Sequence, residues 1–227
     1  MAGRFKQVIV TFLFLILAGN VSAEEATAND AATEKAAQPA AELPAQGPHQ
    51  LVESVTEDLL TQIDKYRDSF EQDPEPFFSA LDCLLGEVVD FRWIAYNVMG
   101  PYRAQATDEQ LKRFAQAFRE DLIETYARGL ISYGDETIVV LPPEEELGDK
   151  RRVTVAQEIH GVDGVFPLYY SMARNKQGDW KVTNVVINGI NLGKTFRNQF
   201  SQRAQKYGGD IDQVIDSWTT KVETTEA

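Results

Sequence analysis

The side chains that most often do chemistry are few in this sequence and lie far apart along the chain. The two histidines, His49 and His160, have no second His or Cys at the spacing of metal ligands, so a zinc site has little support. Ser132 and Ser171 have neither a nucleophile-elbow context nor an obvious base. No P-loop or GxGxxG motif is present. The sequence therefore predicts a protein that is not an enzyme and has no metal or cofactor.

Carboxylates beside turns are the remaining candidates for acid–base chemistry. The run of residues 144–146 is typical of a solvated loop, and Asp90, Asp163 and Asp179 stand next to turn residues, where aspartate is common. A hydrolase for a small apolar substrate would need a carboxylate or a histidine inside an apolar pocket. His160 and Asp179 are the candidates, both predicted at turns, and this alternative stays open.

The sequence is instead rich in regularly spaced apolar residues. The helices and strands that would position them follow an export signal at the start of the chain. Arg4 and Lys6 precede an apolar run at residues 8–17, and Val21-Ser22-Ala23 has the small-x-small pattern of a cleavage site. The run is shorter than the roughly 20 residues of a spanning helix. We therefore predict a signal peptide at residues 1–23, cleaved after Ala23, and export of the rest of the chain.

The rest of the chain is predicted to form one acidic domain behind a spacer. Residues 24–48 are rich in Ala, Glu and Pro without periodicity, which indicates a disordered spacer. One domain is expected at 49–222 and a short tail at 223–227. The net charge of −13 argues against nucleic acid as a partner and against tight adsorption to an anionic membrane. The single cysteine, Cys83, has leucine neighbours and is expected to be a buried free thiol.

Helices are predicted first. Apolar residues at i+3 and i+4 spacing indicate helices at about 48–72 and 75–88, and Asp90 is a candidate N-cap for a short third helix. Thr107 and Gln110 form a capping box that opens the longest helix, to about residue 132.

From residue 136 the apolar period changes to that of strands. Runs at 137–141, 152–159, 165–174 and 181–187 are joined by short turns, which predicts a four-stranded antiparallel meander. Asn188 and Gly189 supply a tight turn, and two helices follow at about 192–207 and 210–222. The fold class is therefore α+β, with N-terminal and C-terminal helices covering a curved antiparallel sheet.

The layer between helices and sheet holds either a solid core or a hollow for an apolar ligand, and periodicity does not separate the two. The residues predicted to wrap an apolar ligand are Phe118, Leu122, Tyr126, Leu130, Val155, Leu168, Tyr170, Met172, Trp180, Val182 and Val186. A solid core would favour a different function, that of an adaptor between envelope complexes without bound lipid.

Three stretches carry a resemblance to a known family. They are VDFRWIAYNVMGPY at 89–102 with the capping box that follows, AFREDLIETYA at 117–127, and GDWKVTNVVINGINLGKTFRNQF at 178–200. In order and spacing, over about residues 50–220, they resemble the MlaC family, also called the toluene-tolerance auxiliary family, of periplasmic phospholipid-binding proteins.

The resemblance implies both a fold and a function. The family fold is an NTF2-like cone with an apolar lipid pocket between sheet and helices. The implied function is a phospholipid carrier that maintains outer-membrane lipid asymmetry. Its implied partners are an outer-membrane lipoprotein–porin complex and an inner-membrane ABC transporter with an MCE-domain protein.

Overall fold

A computed structural model of the protein describes residues 47–134 and 136–218, and the predicted signal peptide, the spacer up to residue 46 and the tail lie outside these residues. The elements in these two ranges are α1 (Pro48–Tyr66), α2 (Glu75–Val88), α3 (Phe91–Val98), a 3-10 turn (Gly100–Ala104), α4 (Asp108–Leu130), β1 (Thr137–Val140), β2 (Arg152–Gly161), β3 (Gly164–Arg174), β4 (Trp180–Ile187), β5 (Ile190–Asn191), α5 (Leu192–Lys206) and α6 (Ile211–Asp216). The predicted α+β class is confirmed. Across the described residues, no helix combines the length and the apolar character needed to cross a bilayer.

The helices begin where their capping residues stand. The Asp90 carboxylate accepts a hydrogen bond from Trp93 N at 2.9 Å and opens α3. At the start of α4 the Thr107 hydroxyl accepts from Gln110 N at 3.1 Å, and the Gln110 side chain accepts from Thr107 N at 2.9 Å. α1 ends at Tyr66, earlier than the predicted end near residue 72, because the chain then tightens into turns.

The sheet is an antiparallel meander in the order β1-β2-β3-β4-β5. Its fifth strand was not predicted: Val186 pairs with Asn191 and Ile187 with Ile190 directly after the β4–β5 turn. The turn residues Asn188 and Gly189 have φ of 47° and 82°, in the left-handed region that Asn and Gly tolerate.

β4 contains a β-bulge. Ser171 of β3 pairs with Asn184, whereas the next residue, Met172, pairs with Val182. Thr183 is therefore an extra residue on β4. Because side chains alternate with a period of two, one extra residue exchanges the two faces for the rest of the strand.

The bulge overturns one predicted assignment of faces. Beyond it, Val185 and Ile187 lie on the inner face of the sheet together with Val182. Val186 pairs instead with Tyr169, whose side chain is 43 % exposed on the outer face. Val186, which was predicted together with Val182 to wrap an apolar ligand, therefore lies on the opposite face of the sheet.

Three packed clusters surround the space between helices and sheet. The first joins α3, α4, α5 and α6 around aromatic rings, with Phe114 only 4.9 Å from both Phe200 and Trp218 between ring centroids. The second lies among α1, α2 and α4, and the third lies between α1 and the sheet. Each cluster closes one side of the same interior, so the helices and sheet form a cone.

Two further expectations are corrected by the structure. Cys83 is exposed, because it lies two residues after the fully buried Leu81 and a helix turns through about 200° in two residues. His160 lies within β2 rather than at a turn, and its Nε2 is 2.8 Å from the Glu158 carboxylate on the same face of the strand.

Candidate functional site

The interior of the cone is hollow. A cavity of about 300 Å³ lies between the inner face of β3 and β4 and the facing sides of α1 to α5. Its lining residues are Leu51, Val52, Val55, Thr56, Leu59, Leu81, Leu85, Val88, Val89, Phe91, Ile94, Phe118, Leu122, Ile123, Tyr126, Leu130, Leu168, Tyr170, Met172, Val182, Asn184, Val185, Ile187, Leu192, Gly193 and Phe196. None of these side chains carries a charge, so the cavity suits an apolar ligand.

The structure brings together eight of the eleven residues predicted to wrap an apolar ligand. On the lining are Phe118, Leu122, Tyr126, Leu130, Leu168, Tyr170, Met172 and Val182. The other three lie elsewhere: Val186 is on the outer face, while Val155 and Trp180 are buried in the cluster between α1 and the sheet. Val155 has no exposed surface, and the Trp180 ring lies 5.0 Å from the Arg174 guanidinium. These two positions are packed core.

Sequence reasoning missed the contribution of α1 and α2. Five lining residues come from α1, among them Val55 and Leu59, and α2 adds Leu81, Leu85 and Val88. Their apolar stripes are visible in the sequence, but a stripe signals burial and not what lies opposite. Val185 and Ile187 were missed because the bulge has no clear signal in the sequence.

A chain of hydrogen bonds fastens α1 to the sheet beside the cavity. The Tyr170 hydroxyl donates to Gln157 Oε1 at 2.6 Å, and Gln157 Nε2 donates to the Thr56 hydroxyl at 3.2 Å. Thr56 in turn donates to the Val52 carbonyl oxygen at 2.7 Å. The buried Gln157 amide therefore has a partner at both ends, which its burial requires.

The two tyrosines on the lining remain neutral. Burial raises the pKa of Tyr170 above its ordinary value of 10.0. Burial, and then the nearby Asp121 carboxylate, raise the pKa of Tyr126 in the same direction. Because the ring of Tyr170 faces the hollow, it keeps some accessible surface even though its hydroxyl is surrounded by protein atoms. Both side chains act as neutral parts of the wall.

Asn184 and Gly193 form a close contact where β4 meets the start of α5. Gly193 N donates to Asn184 Oδ1 at 3.0 Å, which satisfies one of the free N–H groups of the first turn. A Cβ at residue 193 would lie 2.6 Å from that same oxygen. The glycine is therefore needed for this approach of helix to strand.

An ion pair joins α2 to α4 behind the cavity wall. Arg119 Nε lies 2.5 Å from Asp82 Oδ1, and Nη2 donates to the Asp82 carbonyl oxygen at 2.6 Å. Its guanidinium also lies 5.3 Å from the centroid of the Phe91 ring. Arg119 therefore holds α2, α4 and the first residue of α3 at a fixed separation.

The residues proposed for hydrolysis do not meet in the cavity. His160 and Asp179 are exposed and absent from the lining, and Asp179 is hydrogen-bonded to Asn175 in the β3–β4 turn. Over residues 47–134 and 136–218, no group of three or more His, Cys, Asp or Glu side chains could hold a metal ion. The cavity offers apolar contact and a few neutral hydrogen-bonding groups.

Comparison with known proteins agrees with this geometry. The family model described as "MlaC protein" matches residues 53–220. The chain belongs to the MlaC family. The toluene tolerance protein ttg2D of Pseudomonas putida is 37 % identical over 189 residues, which cover 82 % of this chain and 86 % of that protein.

Two more similar proteins are named for the phospholipid that they bind or transport. The intermembrane phospholipid transport system binding protein MlaC of Haemophilus influenzae is 28 % identical over 148 residues, covering 64 % of this chain and 69 % of that protein. A solved phospholipid-binding protein of Ralstonia solanacearum, in complex with a phospholipid, matches with a TM-score of 0.67 and 26 % identity. That match covers 74 % of this chain and 92 % of the solved one.

Proposed function

We propose that this MlaC-family protein is a non-enzymatic carrier of phospholipid. The observation that carries the proposal is the cavity of about 300 Å³, whose lining contains no charged side chain. Two independent findings support phospholipid as the cargo: the relative named as a phospholipid transport binding protein and the solved relative with a bound phospholipid.

The free energy of moving acyl chains from water into an apolar cavity is consistent with a carrier function. Each methylene group removed from water contributes about 0.8 kcal/mol, so acyl chains need continuous apolar cover during transfer. A carrier must also release them, so its interior should resemble a bilayer interior closely and not surpass it. A neutral lining made mostly of aliphatic side chains meets both needs, and the flexible Met172 adapts to chains of different shape.

The cavity is small for a lipid with two long acyl chains. Its volume of about 300 Å³ is at the lower end of the range of about 300–1,000 Å³ seen for ligand pockets. We therefore expect the helices to move away from the sheet when a lipid with two long chains binds. We propose that the lining residues wrap the acyl chains while the head group stays at the mouth, which agrees with the absence of charged lining residues.

The proposed location and transport partners of the protein are based on its membership of the MlaC family. We propose that the protein works in the periplasm, exported by a signal cleaved after Ala23. There it would carry phospholipid between an outer-membrane lipoprotein–porin complex and an inner-membrane ABC transporter with an MCE-domain protein, and so maintain outer-membrane lipid asymmetry. Intact-mass measurement of the protein from a periplasmic extract tests the export step, with an N-terminus at Glu24 as the expected result.

The decisive experiment is organic extraction and mass spectrometry of the protein purified from a bacterial periplasm. We expect phospholipid in stoichiometric amount. A stable protein without lipid would contradict the carrier function and would favour the adaptor alternative.

Charged substitutions on β3 and β4 test the site itself. Leu168→Arg on β3 places a charge in the cavity, and Val182→Arg does the same from β4. We expect each variant to lose lipid co-purification and to keep its helical content, measured by circular dichroism. The matched control is Tyr169→Arg, next in sequence but on the exposed outer face. Equal lipid content in all three variants would show that this cavity is not the binding site.

A further inference from the structure

The outer face of α3 carries an exposed aromatic pair. Trp93 and Tyr96 are 44 % and 37 % exposed, and their rings stack with centroids 6.3 Å apart. The Arg103 guanidinium lies 4.7 Å from the centroid of the Tyr96 ring. Arg92, four residues before Tyr96, lies on the same side of the helix.

The first turns of α5 extend this surface. Arg197 Nε donates to the Asn97 carbonyl oxygen at 2.9 Å, which places the guanidinium beside the outer face of α3. Lys194 precedes Arg197 by one helical turn, and both side chains are exposed. We call this surface the aromatic–cationic face; it consists of Arg92, Trp93, Tyr96, Arg103, Lys194 and Arg197.

Charge is segregated on this face. The protein has 35 acidic residues, yet neither residues 91–104 nor residues 192–206 contain one. Within residues 47–134 and 136–218, the ion pairs involve other side chains, and the four cations of the face have no carboxylate partner. An acidic protein that keeps four unpaired cations together beside two exposed aromatic rings presents a surface complementary to an anionic partner.

We propose that the aromatic–cationic face docks the protein transiently onto the phosphate-rich surface of an anionic phospholipid bilayer. Trp and Tyr have an apolar body and a polar tip and are enriched at membrane–water interfaces. Arg and Lys beside them meet lipid phosphates while their aliphatic stems cover apolar surface. The remaining acidic surface opposes tight adsorption, so the contact is weak, oriented and sensitive to salt.

The position of the face relative to the cavity favours a bilayer over an acidic protein. α3 and α5 present their outer sides to this face and their inner sides to the cavity, which they line with Phe91, Ile94, Leu192 and Phe196. Docking through these two helices therefore places the cavity directly behind the contact. That docking serves lipid exchange depends on the proposed carrier function. The docking itself is inferred only from the charge and the exposure of the aromatic–cationic face.

Vesicle co-sedimentation of the protein purified from the periplasm tests the inference. We expect binding to vesicles of phosphatidylcholine mixed with phosphatidylglycerol at low salt, little binding to pure phosphatidylcholine, and loss of binding at high salt. Failure to bind the anionic vesicles at low salt would overturn the proposal, and an acidic protein surface would then be the occupant to seek.

A matched pair of triple variants separates the local face from overall charge. The combination of R92Q, R103Q and K194Q should weaken partitioning roughly a hundredfold, since each cation near an anionic surface contributes roughly a fivefold factor. The control combination R151Q, R152Q and K176Q removes three exposed cations from the start of β2 and the β3–β4 turn. Its loss should be only a few-fold, and equal losses in both variants would contradict a localised face.

Tryptophan fluorescence adds a readout of orientation. Trp93 is exposed, whereas Trp180 and Trp218 are 3 % and 8 % exposed, so a blue shift on vesicle binding should come from Trp93. The shift should disappear in Trp93→Phe, and its persistence would place the contact elsewhere. Lipid content of the same preparations is measured in parallel, so that a protein without bound lipid refutes the carrier function separately from the docking result.

Discussion

The two ends of α4 carry the same kind of apolar stripe but have different neighbours. Near its start, Phe114 is fully buried and packs edge-on against Phe200 and Trp218, with 4.9 Å between ring centroids in each case. Near its end, Leu122 and Leu130 line the cavity. One helix therefore belongs to a solid core over its first half and to a hollow over its second.

The difference between the packed end and the hollow end is one of partners rather than of pattern. At the packed end, rings from α4, from α5 and from Trp218, just after α6, meet edge to face and pack closely. The hollow end faces the aliphatic and tyrosine side chains of β3 and β4 across a gap. Phe118 and Phe196, with ring centroids 5.2 Å apart, lie on the cavity lining and also in the aromatic cluster, so they form the wall between the two regions.

The largest expected effect comes from truncation at the packed end. Phe114→Ala should lower the free energy of unfolding by about 3–5 kcal/mol, because it removes a fully buried ring and leaves a void among three others. Leu122→Ala at the hollow end should cost less than about 2 kcal/mol, since its side chain already faces empty space. Urea denaturation of both variants gives the comparison, and equal costs would mean that the two ends are packed alike.

Removing a hydrogen bond at the hollow end should have the next largest effect on stability. Tyr170→Phe leaves Gln157 Oε1 without its donor and should cost about 1–3 kcal/mol at neutral pH. Because burial raises the pKa of Tyr170, the folded protein keeps this proton at pH values where the unfolded chain releases it. The contribution of Tyr170 to stability should therefore be constant below pH 10 and should fall as the pH rises above it. Thermal melts across that range should show a shallower alkaline decline in Tyr170→Phe, and an unchanged slope would contradict the assignment.

The junction of β4 with α5 tests how closely the hollow end is built. Gly193→Ala should destabilise by about 1–3 kcal/mol, because the new Cβ meets Asn184 Oδ1 at 2.6 Å. In an Asn184→Ala background the same change should become neutral or stabilising by up to about 1 kcal/mol, since alanine is the better helix former. A double-mutant cycle measures this reversal of sign, and additive effects would show that the two residues do not interact.

The smallest effect on stability should come from filling the cavity. Val185→Phe adds volume on the inner face and should change the free energy of unfolding by less than about 1 kcal/mol while lowering lipid co-purification. Val186→Phe makes the same change one residue later on the outer face and should leave lipid content as it is. If the two variants carried equal amounts of lipid, the bulge would not set the faces of β4 as described.

Local signals in the sequence were sufficient for most element boundaries. Asp90 and Thr107 cap the helices that they were predicted to cap, and Asn188 and Gly189 adopt the positive φ that their types allow. These features depend on a few neighbouring residues, so the sequence carries them directly. The family and the α+β class followed from longer stretches in the same order.

The candidate site could be predicted only in part. Periodicity showed which residues of α4 and β3 are buried, but Val155 and Trp180 proved to be packed core, because burial against a partner and burial against a hollow leave the same pattern. Val185 was missed because a bulge depends on pairing with another strand. Cys83 was placed inside by its leucine neighbours, although its helical position points it outward.

The bulge at Thr183 also determines how β4 tolerates a change in length. Deleting Thr183 would leave the composition of the strand almost the same, yet it would restore simple alternation with β3. Val185 and Ile187 would still lie opposite Tyr170 and Leu168 on the inner face, because Thr183 is the residue without a partner on β3. A single-codon deletion at the bulge is therefore expected to leave the lining of the hollow as it is, although the strand becomes one residue shorter.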